Sequence, residues 1–134
     1  ELARLLAETL AAVDPSAEPA AVATGQTWGA ELVAQNPAAG PDGPAQAVAL
    51  MDDLGFEPSL RDDGSAVEMH HCPFHQMAQQ HSDVVCALHL GLMQGALHEL
   101  GSPVRATGLQ PFVTPRTCLA HLGAGPPATR VTAA

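Results

Sequence analysis

The sequence predicts an α+β domain: N-terminal helices, then a β-hairpin, a long central helix and a second β-hairpin, with both hairpins in one antiparallel sheet. Apolar residues recur at helical spacing up to residue 55 and again over residues 82–100, which indicates amphipathic helices. Apolar and polar residues alternate over residues 56–70 and 104–122, which indicates strands. These changes of period, one on each side of the central helix, predict the order of the elements.

Residues 1–55 are predicted to be helical. A leucine stripe over residues 1–13 ends at Asp14-Pro15, because the residue before a proline is biased away from the helical conformation. The stripe predicts either a core helix or a linker or dimerisation helix that packs on a partner subunit.

Two further helices are expected before residue 56. The first covers residues 20–35, although Gly25 and Gly29 weaken it because glycine has a low helix propensity. A Pro- and Gly-rich loop follows it. The next helix begins near Pro44, which suits the first turn, and Gly55 closes it.

Residues 56–122 hold the predicted sheet and the central helix. An Asp-Gly pair at residues 63–64 predicts a tight turn in the first hairpin. Ser82 or Asp83 is expected to cap the central helix, and Gly101 to end it. The tail over residues 123–134 contains prolines and small residues, and we expect it to be mobile.

Composition restricts the possible partners. The chain has 134 residues and a formal charge of −9, with five Lys and Arg together against fourteen Asp and Glu. Such a surface repels phosphate, so the chain by itself is not expected to bind nucleic acid. No apolar run approaches the roughly 18 residues of a membrane span. Because it begins at Glu1, without Met or a signal peptide, we expect a cytoplasmic piece of a longer protein.

Histidine and cysteine carry the chemistry that the sequence suggests. The chain has seven His and three Cys, and the odd number of thiols favours a reducing compartment. Cys72 and His75 are separated by two residues, a compact spacing for two ligands of one ion. Cys86, on the central helix, is expected to be at least half buried. Cys118 is expected to be brought close to the other two cysteines when the second hairpin folds. Three thiolates with a nitrogen or oxygen ligand suit zinc or an iron–sulfur cluster. The alternative, that Cys86 and Cys118 are small core residues, stays open.

The fourth ligand has several candidates. His71 and His121 are expected to face away from the thiols, because each lies at an odd offset from a cysteine on a predicted strand. His89 could reach the same centre from the helix, but a hydrogen-bonded core histidine is expected there. His75 is therefore preferred, with a carboxylate left open.

Catalysis is not expected. A thiolate at Cys72 could be activated by a neighbouring histidine. No nucleophile elbow, phosphate-binding loop, dinucleotide fingerprint or recognisable pair of glycosidase-like carboxylates accompanies it.

The second half resembles the C-terminal sensor domain of ArsR/DeoR-like winged-helix transcriptional regulators of bacteria, and is similar to the iron–sulfur-binding repressors of the Suf cluster-assembly operon. The matching features are Cys72-Pro73-Phe74-His75, Ala78, the segment 83–86, the leucine-rich helix ending at Leu100-Gly101, and a late cysteine on a strand. The resemblance covers residues 56–122. It implies a homodimer that contacts DNA through a preceding domain.

The resemblance also implies a set of ligands. The metal-binding cysteines of the group map onto Cys72, Cys86 and Cys118, and His75 takes the Cys-Pro-aromatic-His position. This chain departs from the group after Cys118, where no second cysteine follows. Cluster and zinc therefore both stay open as the cofactor.

The function expected from the sequence is that of a metal or iron–sulfur sensor domain. The centre would pin the loop at Cys72 to the helix at Cys86 and the strand at Cys118, and its loss or oxidation would shift the DNA-binding domains. Two alternatives stay open. One is a domain that binds a small apolar molecule in a pocket lined by the thiols, and the other is a purely structural zinc domain.

Overall fold

The computed structural model describes residues 17–35, 43–73, 75–124 and 131 of the chain. The helix predicted over residues 1–13 and nearly all of the tail lie outside the described residues. The elements, in order, are α1 (Ala17–Gln35), α2 (Gly43–Asp53), β1 (Pro58–Leu60), β2 (Ala66–Met69), α3 (His75–Gln80), α4 (Ser82–Glu99), β3 (Arg105–Thr114) and β4 (Thr117–Gly123).

The four described strands form one antiparallel sheet in the order β1-β2-β4-β3. The two hairpins therefore join through β2 and β4, and the last residue of β2, Met69, lies opposite Cys118. This arrangement confirms the predicted α+β class. The predicted turn of the first hairpin is also confirmed, because Gly64 has a positive φ of 72° between the two strands.

Helix α4 is the centre of the core. It packs against both α1 and β3, and its residues from Ala87 to Leu97 are buried apart from the partly exposed Leu88. Leu90 and Met93 on this helix share one apolar cluster with Met51 of α2 and Leu109 of β3. The helices before the first hairpin thus share a core with the sheet. None of the helices in the described ranges is long and apolar enough to cross a bilayer.

The backbones of α1 and α4 lie in direct contact at four glycines, which we call the helix crossing: Gly25 and Gly29 on α1, and Gly91 and Gly95 on α4. A methyl group added at Gly91 would overlap the carbonyl group of Val22. The sequence predicted that Gly25 and Gly29 weaken their helix. The helix nevertheless runs the full length of α1, because the missing side chains allow a close approach that buries both helices.

The ends of α4 differ in how well the sequence predicted them. Gly101 follows the helix with φ 71°, and its N–H donates to the carbonyl of His98 at 3.0 Å, which confirms the predicted cap. The predicted cap at the other end is wrong. Ser82 is already helical, the cap residue is His81, and no side chain makes a capping hydrogen bond. The reason is that α3 runs almost directly into α4. The carbonyl of His81 accepts hydrogen bonds from the backbone N–H groups of Val84 and Val85 in the first turn of α4.

Candidate metal centre

Three sequence-distant cysteines lie in one region of the core, which we call the cysteine corner: Cys72, Cys86 and Cys118. Cys118 is placed by the pairing of β4 with β2, and Cys72 follows three residues after the end of β2. Cys86 lies on the second turn of α4 and is 3% exposed. Cys86 and Cys118 belong to one buried cluster, and the half-buried Cys72 packs against it. A loop, a helix and a strand therefore each contribute one thiol to this corner.

The pKa of the Cys86 thiol depends on both other cysteines. Burial raises its pKa to about 12, and negative charge at Cys118, at Cys72 and at Asp83 raises it further in that order. Cys118 and Cys72 thus both lie within electrostatic range of the buried Cys86 thiol. At neutral pH, Cys86 is a protonated thiol, and a metal would have to displace its proton.

The thiol of Cys118 accepts a hydrogen bond that lowers its pKa. Burial raises the pKa of its thiol, while the backbone N–H of Phe112 opposes that rise. Phe112 has a positive φ of 55° and lies where the pairing of β3 with β4 shifts register, between Gln110 and Thr114. Positive φ is uncommon outside glycine. The irregular strand thus directs an amide donor at the thiol, as would stabilise a thiolate.

His75 lies at the same corner. Its backbone N–H donates to the carbonyl of Cys72 at 3.1 Å, so the Cys-x2-His segment forms a compact turn. Its ring makes an edge-on contact with the ring of Phe112, with centroids 5.6 Å apart at 89°. The predicted neighbourhood of His75 and Cys72 is therefore present.

His89 is more unusual than the sequence predicted. It is 9% exposed, and its ring stacks on Phe56 with centroids 4.1 Å apart and planes at 23°. The predicted burial is correct. The predicted hydrogen bonding fails at one ring nitrogen, because Nε2 is buried without a partner among the described residues. Burial lowers the pKa of this imidazole to about 4, so the ring is neutral at physiological pH.

The remaining candidate histidines lie elsewhere. The ring of His121 is half buried, and its Nε2 lies 2.8 Å from Oε1 of Gln110. The argument that excluded His71 assumed a strand as far as Cys72, and that assumption is wrong, because β2 ends at Met69. His71 is exposed, and its backbone N–H donates to the carbonyl of Phe56 at 3.2 Å.

The corner is not a preformed site for a single ion. Over the described ranges, no three His, Cys, Asp or Glu side chains lie close enough together to hold one metal ion. None of the three cysteines forms a disulfide. The donor set is soft, since it offers three sulfurs with nitrogen donors nearby, and it suits zinc or an iron–sulfur cluster better than calcium or magnesium. Binding of a single metal ion would therefore require these side chains to move closer together.

A cavity of about 460 Å³ lies away from this corner, between α1, the end of α4 and the start of β3. Gln26, Gln94, His98 and Arg105 are among its lining residues, and none of the three cysteines is. Gln94 is buried, and its side chain donates to the carbonyl of Ala106 at 3.1 Å. Polar and apolar groups both line this cavity, and it lacks the thiols that the small-molecule alternative expects in its pocket.

Comparisons with protein-family models, with curated proteins and with solved structures gave no match. The likeness to winged-helix regulators therefore depends on the sequence motifs alone. Sequence reasoning did not identify Phe112 as a residue of the corner. Pro111 was the available signal, because a proline inside a strand often marks a bulge. For the stacking of Phe56 on His89 there was no signal, since it joins a loop to a distant helix.

Proposed function

We propose that this chain is a metal- or iron–sulfur-binding sensor domain of a cytoplasmic bacterial transcriptional regulator. Cys72, Cys86 and Cys118 would supply thiolate ligands, and a histidine, for which the sequence prefers His75, would complete the set. One observation carries the proposal: three thiols far apart in sequence, one in a loop, one on a helix and one on a strand, all pack in or against the same buried core. Soft donors gathered in this way favour binding of a soft metal.

Within this proposal, we favour an iron–sulfur cluster over a single zinc ion. Tetrahedral zinc needs all its sulfurs at about 2.3 Å from one point, and the described side chains are not arranged so. An iron–sulfur cluster contains several metal atoms, and its cysteine ligands lie further apart than those of one ion.

The proposed regulation follows from the elements that carry the ligands. A bound centre would tie the loop after β2 to α4 and β4, and its loss or oxidation would release that loop. In a homodimer, such a change would alter the orientation of attached DNA-binding domains. The chain's charge of −9 favours DNA contact through another part of the protein.

The test is the metal and sulfide content of protein isolated without oxygen. Iron, acid-labile sulfide, zinc and the visible absorbance would be measured for the unmodified chain and for Cys72→Ser, Cys86→Ser and Cys118→Ser. His98→Gln is the matched control, because His98 is exposed near the far end of α4. Each serine variant is expected to lose bound metal at least about tenfold, and the control to keep it. A well-folded, metal-free protein that Cys72→Ser leaves unaffected would rule the proposal out.

The two alternatives predict different results in the same experiment. A purely structural zinc would give one zinc without visible absorbance, no response to oxidation, and unfolding in chelator. A small-molecule domain would give no metal, and its ligand would have to occupy a cavity such as the one near Gln94. That cavity contains no thiol, so it does not explain the gathering of the cysteines.

A further inference from the structure

The cavity between α1, the end of α4 and the start of β3 differs in charge from the rest of the chain. The chain carries fourteen Asp and Glu against five Lys and Arg, yet none of the described residues that line this cavity is acidic. Its polar lining residues are Gln26, Thr27, Gln94, His98, Ser102 and Arg105. The local charge is therefore opposite in sign to that of the whole chain, and it favours an anion over a cation.

Arg105 supplies the positive charge of this lining. It is the first residue of β3 and is exposed. No ion pair joins it to an acidic side chain in the described part of the chain, whereas Arg61 in the other hairpin is paired with Glu68 at 3.2 Å. A guanidinium presents its N–H groups in a planar fork that matches the two oxygens of a carboxylate. The cavity thus offers the group that a carboxylate binds best.

Gln94 holds the polar wall of the cavity in place. Its side chain is buried, its Oε1 accepts a hydrogen bond from Nε2 of Gln26 at 2.8 Å, and its Nε2 donates to the carbonyl of Ala106 at 3.1 Å. These three groups belong to α4, α1 and β3 in turn. Because the amides are already ordered, binding of a ligand would not have to order them, which lowers the entropic cost of binding.

The size and the mixed lining suit a small organic molecule better than a bare inorganic ion. The volume of about 460 Å³ lies within the range of roughly 300–1,000 Å³ that is typical of small-molecule sites. Ala30, Gly95 and Val104 supply apolar lining. A methyl group at Gly95 would overlap the backbone of Gln26, so the helix crossing requires glycine here and no side chain from this position enters the cavity.

We propose that this cavity binds a small organic acid, whose carboxylate pairs with Arg105 and whose apolar part lies against Ala30 and Gly95. The amide of Gln26, held by Gln94, supplies further hydrogen bonding. This site is separate from the proposed metal centre, because none of the three cysteines lines it. It gives the domain a second ligand, which α1, α4 and β3 would contact together.

The test is isothermal titration calorimetry of the unmodified chain with butyrate, benzoate and succinate, with the corresponding uncharged amides, and with inorganic phosphate. ¹H–¹⁵N NMR of the side-chain amides of Gln26 and Gln94 locates the bound molecule. The variants are Arg105→Gln, which removes the charge, and Ala30→Leu, which fills the cavity. Arg116→Gln is the matched control, because it makes the same charge change at an exposed position in the turn at the other end of the same hairpin. Far-UV circular dichroism checks the folding of each variant.

The expected result is that at least one of the acids binds with a Kd below about 1 mM and shifts the amide signals of Gln26 and Gln94. Its amide should bind at least about tenfold more weakly, and Arg105→Gln should weaken the acid to a similar degree. Ala30→Leu should also weaken it, while Arg116→Gln should not.

The results that would overturn the proposal are equally definite. Binding of none of the acids in this range would remove the site, and equal affinity for an acid and its amide would show that charge is not recognised. Equal weakening by Arg105→Gln and Arg116→Gln would reduce the effect to the overall charge of the chain. Tighter binding of phosphate than of every acid would exclude an organic acid as the ligand class. None of these outcomes depends on the metal content of the cysteine corner.

Discussion

The helix crossing and the cysteine corner lie on the same helix and are built in opposite ways. At the crossing, Gly91 and Gly95 bring two backbones together and leave no room for a side chain. In the residues just before the crossing, α4 carries Cys86, whose thiol is held protonated, and His89, whose Nε2 has no hydrogen-bond partner among the described residues. The comparison indicates that close backbone packing stabilises the fold along one part of α4, while the part before it buries polar groups at a cost in stability.

The largest expected effect is at the crossing. Gly91→Ala would drive a methyl group into the carbonyl of Val22, and the helices would have to separate. We expect the free energy of unfolding to fall by about 3 kcal/mol, measured by urea denaturation. Gly123→Ala is the matched control, because its methyl would meet only the side chain of Thr107, at the ordinary contact distances of 3.6 Å and 4.0 Å. Equal stability of the two variants would contradict the close contact.

A smaller effect is expected at the corner in alkaline solution. The folded metal-free chain holds the proton of Cys86 more tightly than the unfolded chain does, since the pKa rises from 9.0 to about 12. The stability contributed by the protonated thiol is therefore complete below pH 9 and is lost as the pH rises toward 12. At pH 10.5 the loss should reach about 2 kcal/mol.

The sequence makes this window easy to measure, because the chain contains no tyrosine and no lysine. Urea denaturation of Cys86→Ala and of the unmodified chain, both treated with chelator and reductant, gives the comparison. The variant should lose less stability between pH 8.5 and pH 10.5. If the free energy of unfolding fell equally in the two proteins over this pH range, Cys86 would not be held as a buried thiol.

The smallest effect concerns His89 in mild acid. Its pKa falls from 6.5 to about 4 in the folded chain, so the unfolded chain binds a proton first as the pH falls. Stability is intact above pH 6.5 and is lost progressively on acidification toward pH 4. At pH 5.5, above the range where most carboxylates titrate, the loss should be about 1 kcal/mol.

His89→Gln should remove this acid sensitivity, measured as the difference in unfolding free energy between pH 7.5 and pH 5.5. His98→Gln is the control, because it removes an exposed histidine from the same helix. If His98→Gln removed the sensitivity and His89→Gln kept it, the burial of His89 would not be its cause.

The fold was largely predictable because its signals are local. Changes in apolar period gave the helices and both hairpins, and Gly55, Gly64 and Gly101 marked ends and turns through their positive φ. The helix crossing was not predictable in the same way. Gly25 and Gly29 weaken an isolated helix, and only the position of Gly91 and Gly95 on a distant helix shows why they are needed.

The site was predictable in its residues and not in its geometry. The soft character of Cys72, Cys86 and Cys118 follows from residue type, and the burial of Cys86 follows from helical period. The amide of Phe112 that reaches Cys118, and the unpartnered nitrogen of His89, depend on how separate elements pack. Side-chain preference and spacing carry no information about such contacts.

The central claim is that Cys72, Cys86 and Cys118 act as one metal centre. X-ray absorption at the edge of the bound metal, recorded on protein isolated without oxygen, tests it most directly. The account predicts a first shell dominated by sulfur at about 2.3 Å, which Cys86→Ser and Cys118→Ser each reduce. A shell of nitrogen and oxygen alone, or a sulfur shell that neither substitution changes, would contradict it.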